Sequence, residues 1–247
     1  MAWIHDRGPD PVPAQLLDRI DYLGVASTGP DGAHVPPPHD GPQAYLAVQG
    51  AQVDEIPPHF HSVEQFQCVV SGSGTIGGRP LAHGVVHYAD RFTPYGPISA
   101  GPEGLTYATL RASHDTGVFV MPAGQERLAA LLGASKRAAS VRRQHTIDLG
   151  AALAGATEGS EWVEHCHGVD GFRIAVVALP AAASSPAVIV GGAGAYLLVV
   201  DGMIEGDGET YGRGAIRWCA VGESVQDRAG PGGARLAFLQ FPMVLAP

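Results

Sequence analysis

Lysine is almost missing from this chain. Lys136 is the only one, and arginine supplies the rest of a basic set of 15 against 24 Asp and Glu, for a net charge of −9. An acidic chain without a Lys/Arg stripe excludes nucleic acid and disfavours an anionic membrane surface, because phosphate binding needs clustered positive charge. Long apolar runs are missing too: no stretch approaches the roughly 18 residues of a spanning helix. The opening MAWIHDRGPDPVP has no basic region followed by an apolar core, so no signal peptide is expected. Cysteine is scarce, with Cys68, Cys166 and Cys219 scattered, odd in number and without a CxxC pair. Buried thiols in a reducing compartment are expected rather than a disulfide framework. Together these absences predict a soluble, cytoplasmic protein. The chain has no Ser-His-Asp order, P-loop or dinucleotide fingerprint. GGAGAY at 191–196 is rich in glycine but precedes a strand-like run, which excludes a phosphate cradle at a helix start.

What the chain has in quantity is turn chemistry: 34 Gly and 20 Pro spread along its whole length. Between them lie short apolar or alternating runs such as AYLAVQGAQV, EQFQCVVSG, LTYATLRAS, FRIAVVALP, AYLLVVDG and ARLAFLQFP. Short strands separated by turns predict an all-β sandwich or barrel. One segment reads as helix: GQERLAALLGASKRAA, 124–139, with Leu128, Leu131 and Leu132 on one face. It lies near the middle and is expected to join two β units. Residues 1–44 are expected to form an extended arm, with one short helix around Pro13 to Tyr22. When Gly72 faces Gly202, VVSGSGTIGGRPLAHGVVHY lies against VVDGMIEGDGETYGRGAIRW with the same rhythm of strands and turns. This predicts an internal duplication of roughly 100 residues.

Candidate chemistry concentrates in PPHFHSVEQFQCVVSGSG, residues 57–74. In a strand, residues i and i+2 share a face. His59 and His61 can therefore converge on one ion while Phe60 packs the other way. Imidazole nitrogen suits transition metals and is a poor ligand for Ca or Mg. Glu64, Gln65 and Gln67 follow with oxygen donors or hydrogen-bonding groups. HFHSVEQFQCVVSG resembles the first motif of the cupin superfamily: His-x-His, a short spacer, Glu, six residues and Gly. The carboxylate position falls on Gln65 and the glycine on Gly72. GGRPLAHGVVHYADRFTPYGP looks like the glycine turn and second motif, whose histidine position falls near Tyr95.

The resemblance implies two tandem cupin barrels (jelly-roll, double-stranded β-helix) joined by a short helix. The first would span 45–121, a helical linker 122–140 and the second barrel 141–247. It implies a divalent metal in the first barrel held by His59, His61 and Gln65, completed by His87. Fe2+ is the first choice, with Mn2+, Ni2+, Zn2+ and Cu2+ also compatible. Gln65 either binds directly or acts from behind the ligands; His87 is either a ligand or a core histidine. Tyr95 and Glu64 are the candidate catalytic groups, Glu64 otherwise being a solvated charge. Arg111 either pairs with a substrate carboxylate or sits at an edge. In the second half the alignment puts Ile189, Gly191 and Ala195 at the ligand positions, so that barrel is expected to be metal-free. His165-Cys166-His167 lacks the motif's spacing and is expected to be exposed loop. The implied activity is that of a metal-dependent oxidoreductase, a dioxygenase, on a small substrate. A lining of Phe66, Phe92, Tyr95 and valines predicts a mainly apolar or aromatic one. A non-catalytic binding barrel and an O2-independent isomerase or lyase are the alternatives. Exposed barrel edges predict a homodimer.

Overall fold

The computed structural model describes residues 18–23, 27–28, 34–35, 41–51, 55–115, 118–134, 142–156, 159, 161–206 and 208–243. Two compact units divide the chain between residues 147 and 148. No helix among the described residues is long and apolar enough to cross a membrane.

The first unit is built on one large sheet. Its strands are β1 (Asp18–Leu23), β4 (Gln43–Gln49), β6 (Gln65–Ile76), β7 (Arg79–Ala82), β8 (Val85–Ala89), β9 (Ile98–Arg111) and β11 (Gln144–Asp148). They run in the order β1-β4-β9-β6-β8-β11, with β7 on β6. A two-stranded sheet joins β5 (His59–His61) to β10 (Val118–Val120), and β2 (Ser27–Thr28) pairs with β3 (His34–Val35). Two sequence expectations change here. Asp18–Leu23 is a strand on β4, where a helix was expected up to Tyr22; sheet pairing overrides the local propensity. Gln144–Asp148, expected to open the second barrel, instead extends the first unit's sheet beside β8. Residues 13–17 and 135–141 lie outside the described residues.

Helix α1 (Gln125–Ala134) holds the linker position. Its Leu128 packs with Phe60 and Phe92, and Leu131, Leu132, Phe119 and Met121 border the same cluster. Phe60 is fully buried in it, which fixes the outward face of β5 and turns its flanking histidines the other way.

The second unit opens with α2 (Leu149–Ala154), capped by the Asp148 carboxylate, which accepts a hydrogen bond from Ala151 N–H. Strands β12 (Val163–His167), β13 (Arg173–Leu179), β15 (Ala195–Gly206), β16 (Glu209–Gly212) and β19 (Arg228–Gln240) form a sheet in the order β12-β13-β19-β15-β16. Strand β17 (Ile216–Cys219) joins β15, and β14 (Val188–Ile189) pairs with β18 (Ser224–Val225).

The units repeat one plan. The pairing of β6 with β9 is interrupted between Val69 and Ser71 and between Gly72 and Gly74. That of β15 with β19 is interrupted between Val199 and Asp201 and between Gly202 and Ile204. Gly84 N–H donates to Val69 O at 3.0 Å, as Gly214 N–H does to Val199 O at 2.8 Å. Gly72 and Gly202 both have φ of 73°, and a Cβ on either would overlap a facing backbone carbonyl, Gly104 O or Gly233 O. Gly72→Ala therefore combines a left-handed backbone with a clash that no rotamer relieves. A loss of at least about 2 kcal/mol is expected in a urea melt; a change under about 0.5 kcal/mol would mean the strands can separate locally there.

The duplication also corrects the alignment of the second histidine position set. His61 O accepts from Phe92 N–H, and Val190 O accepts from Gly222 N–H. Phe92 and Gly222 both have positive φ. His59 bridges to Tyr95, and Val188 pairs with Val225. The counterparts of His59 and His61 are thus Val188 and Val190, both buried, while Ile189 is exposed. A one-residue slip in a strand exchanges its two faces, so Ile189 and Gly191 are not the inward pair. The interior of this barrel is apolar, filled by side chains including Val177, Leu197, Leu236 and Phe238.

Candidate metal centre

In the first barrel the inner face of the large sheet carries polar rows. Tyr45, Thr109, Gln67 and His87 stand side by side across β4, β9, β6 and β8. One row on, Gln43 pairs with Arg111, next to Gln65. In the other direction the row is Ala47, Tyr107 and Val69, where the apolar core begins. Strand alternation aims Phe66 to the opposite face from Gln65 and Gln67; it packs on Tyr88 at 4.8 Å. Phe92 lies in the helix cluster. Neither ring lines the polar face, which removes the main basis for an apolar or aromatic substrate.

Strand β5 and Tyr95 face these rows. The rings of His59 and His61 are 5.3 Å apart, and that of Tyr95 lies 4.5 Å from His59 and 6.2 Å from His61. His59 Nδ1 is 2.8 Å from Pro57 O, which can only accept, so this nitrogen carries the proton and Nε2 the lone pair. Tyr95 O–H donates to that Nε2 at 3.0 Å. His61 Nδ1 is 2.7 Å from the Asp115 carboxylate, which fixes the same tautomer. Asp115 in turn accepts from Ser62 N–H and Oγ–H at 3.1 and 2.7 Å.

Arg111 holds the remaining members. Its guanidinium donates to Gln65 Oε1 at 2.9 and 3.1 Å and to Gln43 Oε1 at 2.7 Å. It lies 3.5 Å from Asp115 and 3.2 Å from His61 Nδ1, over the Tyr45 ring. With its carbonyl committed to Arg111, Gln65 turns its amide N–H to the Tyr95 oxygen. The hydrogen-bond chain thus runs one way, from Arg111 through Gln65 and Tyr95 to His59 and Pro57.

Burial lowers the pKa of His59. Burial, aided by Arg111, takes His61 down to about 4, so both rings are neutral near pH 7. Burial would raise the Asp115 carboxyl, but the His61 hydrogen bond and the Arg111 charge hold it well below the usual carboxylate range. Burial raises the Tyr95 phenol well above its ordinary value, against the pull of Arg111 and Gln65.

His87 faces inward, its ring 5.2 Å from Tyr95. Its Nδ1 lies 2.9 Å from Thr146 Oγ1, and Gln144 Nε2 is 3.5 Å from its Nε2. Burial lowers it to about 3. Glu64 is buried and held by Arg91 through two hydrogen bonds of 2.7 and 2.9 Å, so it is an internal ion pair and not a solvated charge. His165 and His167 are exposed on β12, an edge strand where loop was expected, with His167 Nδ1 3.6 Å from Glu164. Asp115 and Gln43 carried no sequence signal; both enter only through tertiary contacts. All three cysteines are free thiols, Cys68 and Cys219 buried.

Among the described residues, no three His, Cys, Asp or Glu side chains could hold a metal ion together. The two histidines nonetheless suit one. Metal-binding imidazoles typically donate their second N–H to a carbonyl or carboxylate, and both His59 and His61 do so. A third donor would come from another residue type, and the Tyr95 oxygen is the one in contact with His59.

No protein-family model matches this sequence, and no curated protein matches it. Solved structures do resemble the model. A candidate dioxygenase from Nostoc punctiforme superposes with a TM-score of 0.56 at 11% identity, covering 93% of this chain and 84% of that one. The Escherichia coli pirin YhhW, solved in complex with nickel(II), gives 0.54 at 11% identity over 94% and 95%. A cupin 2 conserved barrel domain protein from Leptotrichia buccalis gives 0.54 at 10% identity over 93% and 92%. With strands as its main structure and these neighbours, the chain has the all-β cupin fold.

Proposed function

We propose that the first barrel is the metal centre of an enzyme acting on a small, polar organic molecule. One observation carries this reading: both imidazoles are locked through Nδ1, His59 on Pro57 O and His61 on Asp115, so that both neutral Nε2 atoms lie on one strand face, that of His59 accepting from Tyr95 O–H. His59, His61 and Tyr95 are the residues that would hold the ion. Gln65 supports the Tyr95 oxygen through its amide N–H and Arg111 fixes Gln65. A divalent ion bound there would supply Lewis-acid or O2 chemistry, since two imidazoles with open positions suit the later transition metals and Fe2+. A dioxygenase-type oxidoreductase using Fe2+ is the reaction class carried forward, supported by the fold shared with the Nostoc candidate dioxygenase. Substrate polarity follows from the chain itself, since Gln43, Gln67, Thr109 and Arg111 line the sheet face opposite the histidines.

Elemental analysis of protein purified without chelators tests the centre, with about one equivalent of a transition metal per chain expected. Turnover of small oxygenated compounds with and without air then tests the reaction class; product formed equally well without O2 would remove the dioxygenase reading. A second reading, a binding barrel without turnover, draws on Gln65 and Arg111, which place an amide and a positive charge where a carboxylate ligand would stand. Absence of metal even after reconstitution would favour it.

A further inference from the structure

Strand β10 is an addition to the plan that the two units share. Among the described residues of the second unit, the strand matching β5 is β14, and it pairs with β18 alone; β5 pairs with β10 and also bridges to Tyr95. The register sets Val118 against His61 and Val120 against His59. Residues directly opposite in an antiparallel pair project to one face of the sheet. Both valines therefore stand on the histidine face, while Phe119 between them stacks on Phe60 at 4.9 Å on the other. His59 N–H donates to Tyr95 O at 3.0 Å, and His59 O accepts from Tyr95 N–H at 2.9 Å. With its backbone bonds made on that side, His59 meets Val120 as a non-hydrogen-bonded pair, the kind in which side chains lie closer. A row thus crosses this face from Tyr95 through His59 to Val120, with His61 and Val118 beside it.

The inner face of a barrel strand is ordinarily buried, as His59 is here at 4% exposure. Val118 and Val120 are 54% and 39% exposed, and the His61 side chain retains 11%. Exposure rises along the histidine face toward β10, so the site meets solvent on that side. A single exposed valine needs no explanation. Two on one added strand, each paired with a histidine of the site, make an apolar wall at the edge of a polar centre. Resting on the proposed metal centre, we infer that Val118 and Val120 are the outer wall of the substrate site and set its specificity. The substrate carries an oxygen donor for the ion at His59 and His61, followed by a short aliphatic end that lies along β10.

Straight-chain carboxylates from acetate to hexanoate test this on the full chain reconstituted with Zn2+, because they share one oxygen-donor head and differ only in the tail. A methylene is worth about fourfold in affinity when fully buried and about twofold when half covered, so hexanoate is expected to bind at least about tenfold tighter than acetate. The methyl NMR signals of Val118 and Val120 are expected to move with hexanoate. The double variant Val118→Thr/Val120→Thr keeps the side-chain shape and the strand preference. It is expected to bring the hexanoate-to-acetate ratio below about threefold, since a hydroxyl replaces a methyl at each wall position. No gain with chain length, or the same gain in the double variant, overturns the inference. Metal content of the same samples reports on the centre separately. Bound Zn2+ without a chain-length response sinks the wall alone; no bound Zn2+, with both acids silent, sinks the centre and the wall with it.

Discussion

For the proposed metal centre, protein carrying His59→Ala and His61→Ala is expected to bind a transition metal with affinity reduced by more than about 100-fold relative to wild type. Removing an outer partner of a ligand already costs about 10–100-fold, and loss of both nitrogen donors must cost more. Tyr95 would remain with Gln65, a phenol and an amide N–H that cannot hold a divalent ion between them. Single changes divide the question further. Asp115→Asn keeps the shape but weakens the grip on His61 Nδ1–H, and a decrease in affinity of about 10–100-fold is expected. Gln65→Leu leaves both imidazoles as they are, so metal is expected to stay. If the double variant retained its metal, the ion would be bound elsewhere and the opening strand of the barrel would be structural. The measurement is metal content per chain, with circular dichroism to show that each variant is folded.

Arg111→Met is expected to be the most destabilising single change in the site, by about 3–5 kcal/mol in a denaturant melt, because truncating one member of a buried ionic network leaves the others unpaired. Arg111 has only 4% side-chain exposure and Asp115 1%. Without the guanidinium the Asp115 charge keeps only His61 and Ser62, and the carbonyls of Gln43 and Gln65 lose their donor. Arg111→Lys is not expected to rescue it, since one ammonium cannot reproduce a planar fork shared between two amides. The Arg91 pair to Glu64 is more exposed on its cationic side, 22%, so Arg91→Met is expected to cost less. A loss below about 1 kcal/mol for Arg111→Met would place this residue with ordinary surface charges and remove its proposed part in orienting Gln65.

Much of this molecule follows from local pattern. The spread of glycine and short alternating runs specifies an all-β chain, because turns and period-two patterning are properties of neighbouring residues. Two positive-φ glycines, Gly72 and Gly202, mark the repeat, since only a residue without Cβ fits against the opposing carbonyl. The i, i+2 relation of His59 and His61, with Phe60 outward, is likewise local geometry. Tyr95, by contrast, is pointed to only by the resemblance of GGRPLAHGVVHYADRFTPYGP to the second cupin motif, not by local geometry.

Tertiary structure decides what that pattern leaves open. A one-residue difference after β14 makes Val188 and Val190, not Ile189 and Gly191, the inward pair, because strand face depends on register against a distant partner. Asp18–Leu23 becomes strand because β4 supplies its hydrogen bonds, and Gln144–Asp148 joins the first unit because β8 offers an edge. The orientation of the Gln65 amide is set by Arg111, which lies far along the chain, and the tautomer of His61 by Asp115. Glu64, beside Gln65 in sequence, points to Arg91 instead. Sequence supplies the residue types and their faces. Partners, tautomers and charge balance come from strand pairings that bring distant segments within hydrogen-bond distance, and no local spacing encodes them.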